Sequence, residues 1–145
     1  KRILVAVNGT SADEEAIGLS CRLAKKDRGR VLVTYVIQVD RTLPLDADVK
    51  AEVEKGEQVL RQAERVADEQ DYNVETDVLQ AREIGPAIVE EAIARHVDVI
   101  IIGLSYKRRF GEFNLGTIIP YVLRNARCWV LIFREPITEE EREKS

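Results

Sequence analysis

The sequence predicts a single α/β domain: a doubly wound, parallel, five-stranded sheet with helices on both faces. Three observations predict it. Short apolar runs alternate with longer segments of helical periodicity, giving the order β-α-β-α-β-α-β-α-β. The runs at residues 3–7 and 97–102 are almost unbroken in apolar character, as strands covered on both faces require. Strand–helix–strand units with right-handed crossovers then close into a parallel sheet between two helical layers.

Ile3, Leu4, Val5, Ala6 and Val7 form the first strand, and Asn8-Gly9-Thr10 is a turn. Ser11-Ala12-Asp13-Glu14 has the spacing of a capping box, with Ser11 capping and Glu14 reaching back. Ala12, Ala16, Leu19, Ser20, Leu23 and Ala24 follow at helical intervals, and Gly29 is placed to end that helix. Residues 31–39 form the second strand, and residues 40–47, with Pro44 and two aspartates, a loop. From 48 to 70, Val49, Val53, Val59, Leu60, Ala63, Val66 and Ala67 make one apolar stripe on a strongly charged helix. Residues 74–79 alternate apolar and polar, which predicts a third strand with a wetter face or an edge position.

Pro86 suits the first turn of a third helix, which has Ala87, Ile88, Ala92 and Ile93 inward and ends near His96. Residues 97–102 are the fourth strand, 117–125 the fourth helix and 129–133 the fifth strand. Pro136 stops the order, so the domain is expected over residues 1–136, followed by a charged, frayed tail over 137–145. The chain starts at Lys1 and contains no methionine, which reads as a trimmed chain or a domain cut from a longer polypeptide.

Composition excludes several classes. A length of 145 residues suits one domain able to bury roughly 68–70% of its unfolded surface. A net charge of -4 argues against a general nucleic-acid binder. No apolar run reaches the roughly 18 residues needed to span a bilayer, so no membrane insertion of this domain is expected. Cys21 and Cys128 are too few and too far apart for a disulfide framework or a metal knuckle; they read as small buried hydrophobes in a reducing, cytoplasmic setting. His96 falls at a helix C-terminus, where a cation is mildly favoured, and no Ser/His/Asp or Cys/His constellation forms around it. No catalytic residues and no metal ligands are therefore assigned; Asp13 and Glu112 are the carboxylates nearest the crevice in sequence.

In doubly wound sheets, ligands bind beyond the carboxyl ends of strands, where the winding direction reverses. If strand one is central and strand four lies beside it, Asn8-Gly9-Thr10 and Gly103-Leu104-Ser105 line that crevice. The segment from Gly103 to Thr117 follows a buried strand, runs through a basic loop and enters a helix, which are the parts of an anion cradle. Gly111-x4-Gly116-Thr117 lacks the lysine of a Walker A loop, and the turn after strand one lacks a second glycine for a dinucleotide fingerprint. Lys107, Arg108 and Arg109 meet an anion directly or form a solvated loop surface. Phe110 and Phe113 read as anchors for that loop and Gly111 as its turn.

The chain resembles the universal stress protein family over residues 3–133. The resemblance rests on VAVNGT, similar to the family's V-D-G-S turn, on the loop, where the family shows G-x2-G-x9-G-[S/T], and on the closing text YVLRNARCWVLIF. Gly103, Gly116 and Thr117 fall at the family spacing, Tyr106 occupies the second glycine and Asn8 stands at the Asp. The likeness implies a flavodoxin-like, adenine nucleotide alpha hydrolase-like fold with strand order 3-2-1-4-5. It implies ATP as cofactor, with adenine and ribose near the strand-one turn and the strand-two end, at Val36 or a neighbour. The phosphates would rest on the loop and the first turn of the fourth helix. The implied binding positions are Asn8, Gly9, Thr10, Val36, Gly103, Tyr106, Lys107, Arg108, Gly116, Thr117 and Ile118. If the Tyr106 position needs a positive φ, the side chain there costs roughly 1–2 kcal/mol.

The implied function is a non-enzymatic regulatory domain for stress responses that binds ATP or a related nucleotide or anion. An interaction module without ATP is the alternative. It would dimerise through the apolar strand-five residues Val130, Leu131, Ile132 and Phe133, on its own or as a regulatory part of a transporter or another larger protein. An enzyme, such as a slow ATP hydrolase, is the third reading.

Overall fold

The computed structural model describes residues 1–106, 108, 109, 112, 113 and 115–143, except for the side chains of 108, 109, 112, 113, 141 and 143. The chain forms β1 (Arg2–Val7), α1 (Ala12–Asp27), β2 (Arg30–Gln38), α2 (Lys50–Glu69), β3 (Glu75–Ala81), α3 (Ile84–Ala94) and β4 (Val99–Leu104). A small antiparallel pair follows, β5 (Arg108–Arg109) and β6 (Glu112–Phe113), and then α4 (Ile118–Asn125), β7 (Trp129–Arg134) and α5 (Glu139–Glu143). The main sheet is fully parallel in the order β3-β2-β1-β4-β7, which is the predicted 3-2-1-4-5 arrangement with β7 as the fifth strand. β3 is an edge strand, as its alternating sequence suggests.

Two apolar layers sandwich this sheet, because successive side chains of a strand point to opposite faces. Ile3, Val5, Val7, Val33, Tyr35 and Ile101 face α1 and α2. Leu4, Ala6, Leu32, Val36, Ile100 and Ile102 face α3 and α4. The continuous apolar runs of β1, β2 and β4 are thus the sum of two alternating sets. α2 approaches its face closely because Gly56 carries no side chain: a Cβ there would stand 2.7 Å from the Tyr35 ring.

The elements differ from expectation in three places. α1 ends at Arg28, which adopts the left-handed conformation (φ 55) in place of Gly29. Gly29 is needed for room instead, since a Cβ there would collide with the Lys1 carbonyl oxygen. Along α1, Ile17 and Cys21 are buried whereas Leu23 is exposed, so the inner stripe is rotated from the one read in the sequence. The expected frayed tail contains the short helix α5.

The loop after β2 makes two turns of its own, Leu43 N donating to the Asp40 carbonyl and Ala47 N to the Pro44 carbonyl, and side chains tie it down. Arg82 Nη1 donates to the carbonyls of Asp40 and Leu43, each at 2.7 Å, and Gln80 Nε2 donates to those of Leu45 and Ala47. Both anchors come from the end of β3, so the loop runs along that edge. No helix among the described residues is long and apolar enough to cross a membrane.

Gly103 shows how the upper edge of the sheet is built. It is buried, and a Cβ there would lie 2.5 Å from the carbonyl oxygen of Ala12 in the first turn of α1. A backbone contact of this kind cannot be relieved by a rotamer change. Gly103→Ala is therefore expected to lower stability by about 1–3 kcal/mol; urea unfolding checks this, and an unchanged midpoint would show that α1 can shift freely.

Candidate functional site

β1 and β4 are neighbours in parallel register, Ala6 opposite Ile102, so the chain leaves both strands at the same edge of the sheet. Asn8 and Gly103 therefore stand side by side, as the crevice expectation requires. Gly116 is exposed with φ +70, and nothing lies within 4 Å of where its Cβ would be. Thr117 caps α4 in position but makes no side-chain capping bond.

The strand-one turn is not a collar of free amides. Asp13, on the first turn of α1, accepts from the Gly9 amide at 2.7 Å and from the Asn8 amide at 3.2 Å. Asn8 Oδ1 accepts from the Thr10 amide at 3.2 Å, and the Thr10 carbonyl accepts from the Asp13 amide. Gly9 takes φ +88, and a Cβ there would stand 3.2 Å from Val59 of α2. The expected capping box is replaced by this arrangement. Ser11 has helical dihedrals and donates its hydroxyl to Glu135 Oε1 at 2.5 Å, while Glu14 accepts from Gln62. The acid that reaches back is thus Asp13, and it reaches the turn rather than the capping residue. Its place four residues after Gly9 was the signal available in the sequence.

Asp13 is only 7% exposed. Burial pushes its carboxyl from the ordinary 3.8 up to about 6, against the pull of the Gly9, Asn8 and Thr10 amides toward the ionised form. A cleft of about 310 Å³ opens beside it between α1 and α2, lined in part by Thr10, Glu14, Ile17, Gln58, Val59 and Gln62. Two hydroxyl oxygens at this edge, Thr10 Oγ1 and Ser105 Oγ, are buried without a hydrogen-bond partner among the described residues.

The other predicted positions divide. Val36 is a core side chain on the α3 and α4 face, two residues before β2 ends. Ile118 packs on that same core rather than into the crevice. Gly103 serves close helix–strand packing. The Tyr106 ring lies under the Arg134 guanidinium, 5.1 Å from its centroid. Tyr106 has no positive φ; among described non-glycine residues only Arg28, Asp71 and His96 do, so the expected strain at Tyr106 is absent. Lys107, Phe110 and Gly111 lie outside the described residues, as do the side chains of Arg108, Arg109, Glu112 and Phe113. Among the described residues no group of three His, Cys, Asp or Glu is placed to hold a metal ion.

The model of the universal stress protein family matches residues 1–134. Universal stress protein MJ0531 of Methanocaldococcus jannaschii is 27% identical over 145 residues, covering 96% of this chain and 85% of that one. Among solved structures, the universal stress protein of Archaeoglobus fulgidus in complex with dAMP superposes with a TM-score of 0.72 at 16% identity, over 90% of this chain and 95% of that chain. A universal stress protein family protein of Arabidopsis thaliana with AMP bound gives a TM-score of 0.70 at 16% identity, over 98% of each chain.

The buried carboxyl makes stability depend on pH with a definite sign. Folded Asp13 holds its proton more tightly than the unfolded chain does, so its favourable contribution is complete below about pH 4 and fades as pH rises through about 6. The difference amounts to about 2–3 kcal/mol. In urea unfolding between about pH 4 and pH 7, Asp13→Asn is expected to remove this part of the slope; equal slopes in the two chains would refute it.

Proposed function

The chain belongs to the universal stress protein family, and on that premise we propose that it is a non-enzymatic regulatory domain that binds an adenine nucleotide, ATP or a close relative. The ligand lies at the carboxyl ends of β1 and β4. The observation that carries this reading is the pair of buried hydroxyls of Thr10 and Ser105, without a partner among the described residues, at the ends of adjacent parallel strands. Buried polar atoms are normally satisfied, so two orphans at the crevice point to a polar ligand or to water. The exposed, left-handed Gly116 at the start of α4 adds a backbone surface suited to phosphate. The dAMP and AMP complexes of structural neighbours support the same class of ligand.

In this reading Asn8, Gly9 and Thr10 border the sugar and base. Gly116 and Thr117 receive the phosphates, with Lys107 and Arg108 supplying positive charge from the loop. Asp40, two residues beyond β2 and exposed, replaces Val36 as the strand-two contact, because Val36 is enclosed by the core. Titration calorimetry with ATP, ADP, AMP and cyclic AMP tests the proposal, and no heat from any of the four would remove nucleotides from the account. Gly116→Val forces a branched side chain toward positive φ and is expected to weaken binding about tenfold. The added atoms meet nothing, so the strain of the positive φ alone lowers stability, by about 1–2 kcal/mol.

A second reading has its own observation. Trp129 is 78% exposed and Leu131 42% exposed on edge strand β7, an apolar strip with an open ladder beside it. Pairing of two copies through β7, from Val130 to Phe133, would cover both. Light scattering at micromolar concentration is expected to give a dimer, and Trp129→Glu a monomer; a monomeric unmodified chain would defeat this reading.

A further inference from the structure

We propose that Asp13 is a proton-operated pin: its carboxylate holds the Asn8 and Gly9 amides, and protonation releases them to bond the sugar and base of an anionic nucleotide in the crevice. This regulation rests on the nucleotide reading of the same site. An ionised carboxylate offers only acceptors, whereas a protonated one gives up acceptor capacity and gains a donor. The two bonds are unequal. Asn8 N stands 3.2 and 3.4 Å from the two oxygens and Gly9 N only 2.7 Å from one, so the Asn8 contact is the first to be lost.

The surroundings favour release on acidification. Glu14 lies on the same helix and Glu135 reaches Ser11 from beyond β7. α2 presents the neutral Gln58 and Gln62, and β4 presents uncharged Gly103 against Ala12. No cation among the described residues lines the cleft. An anion arriving at the strand-one turn therefore meets carboxylates, and neutralising Asp13 both frees amides and removes one repelling charge. Burial already places its titration near pH 6. By linkage, a nucleotide that binds the released turn raises the proton affinity of Asp13 by the same factor.

Amide spectra (1H–15N) of the free chain, followed from about pH 7.5 to about pH 5, test the pin directly. The Gly9 and Asn8 signals are expected to move together with a midpoint near pH 6 and to stay still in Asp13→Asn. Calorimetry with cyclic AMP, whose phosphodiester charge is constant over this range, tests the linkage. Binding should tighten about fivefold or more on acidification, not at all in Asp13→Asn, and normally in a His96→Gln control that removes the sole histidine. A Gly9 signal that does not titrate, or a pH dependence surviving in Asp13→Asn, overturns the proposal. Binding without pH dependence rejects the pin and leaves the nucleotide reading standing. A titrating turn with no nucleotide bound at either pH defeats that reading and the anion linkage together.

Discussion

The first turn of α1 lies directly on the end of β4, and the whole carboxyl edge of the sheet is arranged around that contact. It exists because Gly103 has no side chain, which lets the Ala12 backbone descend onto the strand. With α1 seated there, Asp13 falls within reach of the strand-one turn and Ser11 within reach of Glu135. A helix standing about 1 Å higher would break the Gly9 bond, since hydrogen bonds weaken steeply outside their narrow distance range. One missing methyl group therefore determines where three polar side chains act.

The edge so formed is asymmetric in its hydrogen bonding. On the strand-one side every amide from Asn8 to Thr10 has an intramolecular acceptor, and the acceptor for two of them is a carboxylate that burial disfavours in its charged form. At the start of α4 there is no side-chain cap, Gly116 is exposed and left-handed, and the nearby Ser105 hydroxyl oxygen has no partner among the described residues. The strand-one backbone is thus satisfied within its own turn, while one buried hydroxyl oxygen on each side, Thr10 Oγ1 and Ser105 Oγ, has no partner among the described residues. Keeping a charge in a desolvated place is costly for folding, and that kind of tension is common where a protein handles ligands or protons. Tyr106 belongs to neither half, because Arg134 holds its ring from the end of β7.

The two outer strands solve the open-edge problem differently. β3 carries Glu75, Thr76 and Asp77, and the loop after β2 is tied along it through Gln80 and Arg82. Charged residues and a covering loop discourage pairing with another chain. β7 instead exposes Trp129 and Leu131. Of the two outer strands, β7 is the one with large apolar side chains exposed.

Strand and helix order, the parallel sheet and the neighbourhood of Asn8 and Gly103 were legible in the chain. Apolar runs and helical periodicity are local patterns, and right-handed crossovers leave few ways to assemble them. The inner stripe of α1 was less legible, since Leu19 and Leu23 match the period as well as Ile17 and Cys21 do, and only packing against the sheet selects a rotation. The burial of Val36 within the core, the side chain that governs Tyr106 and the exchange of Arg28 for Gly29 as the left-handed residue came from the tertiary structure alone. Each depends on an atom distant in sequence, such as the Glu135 carboxylate beside Ser11 or the Lys1 carbonyl beside Gly29. The sequence by itself determined which segments become strands and helices, because that choice is made among near neighbours. The fold decided which polar groups face one another, because those meetings are set by how closely backbones approach.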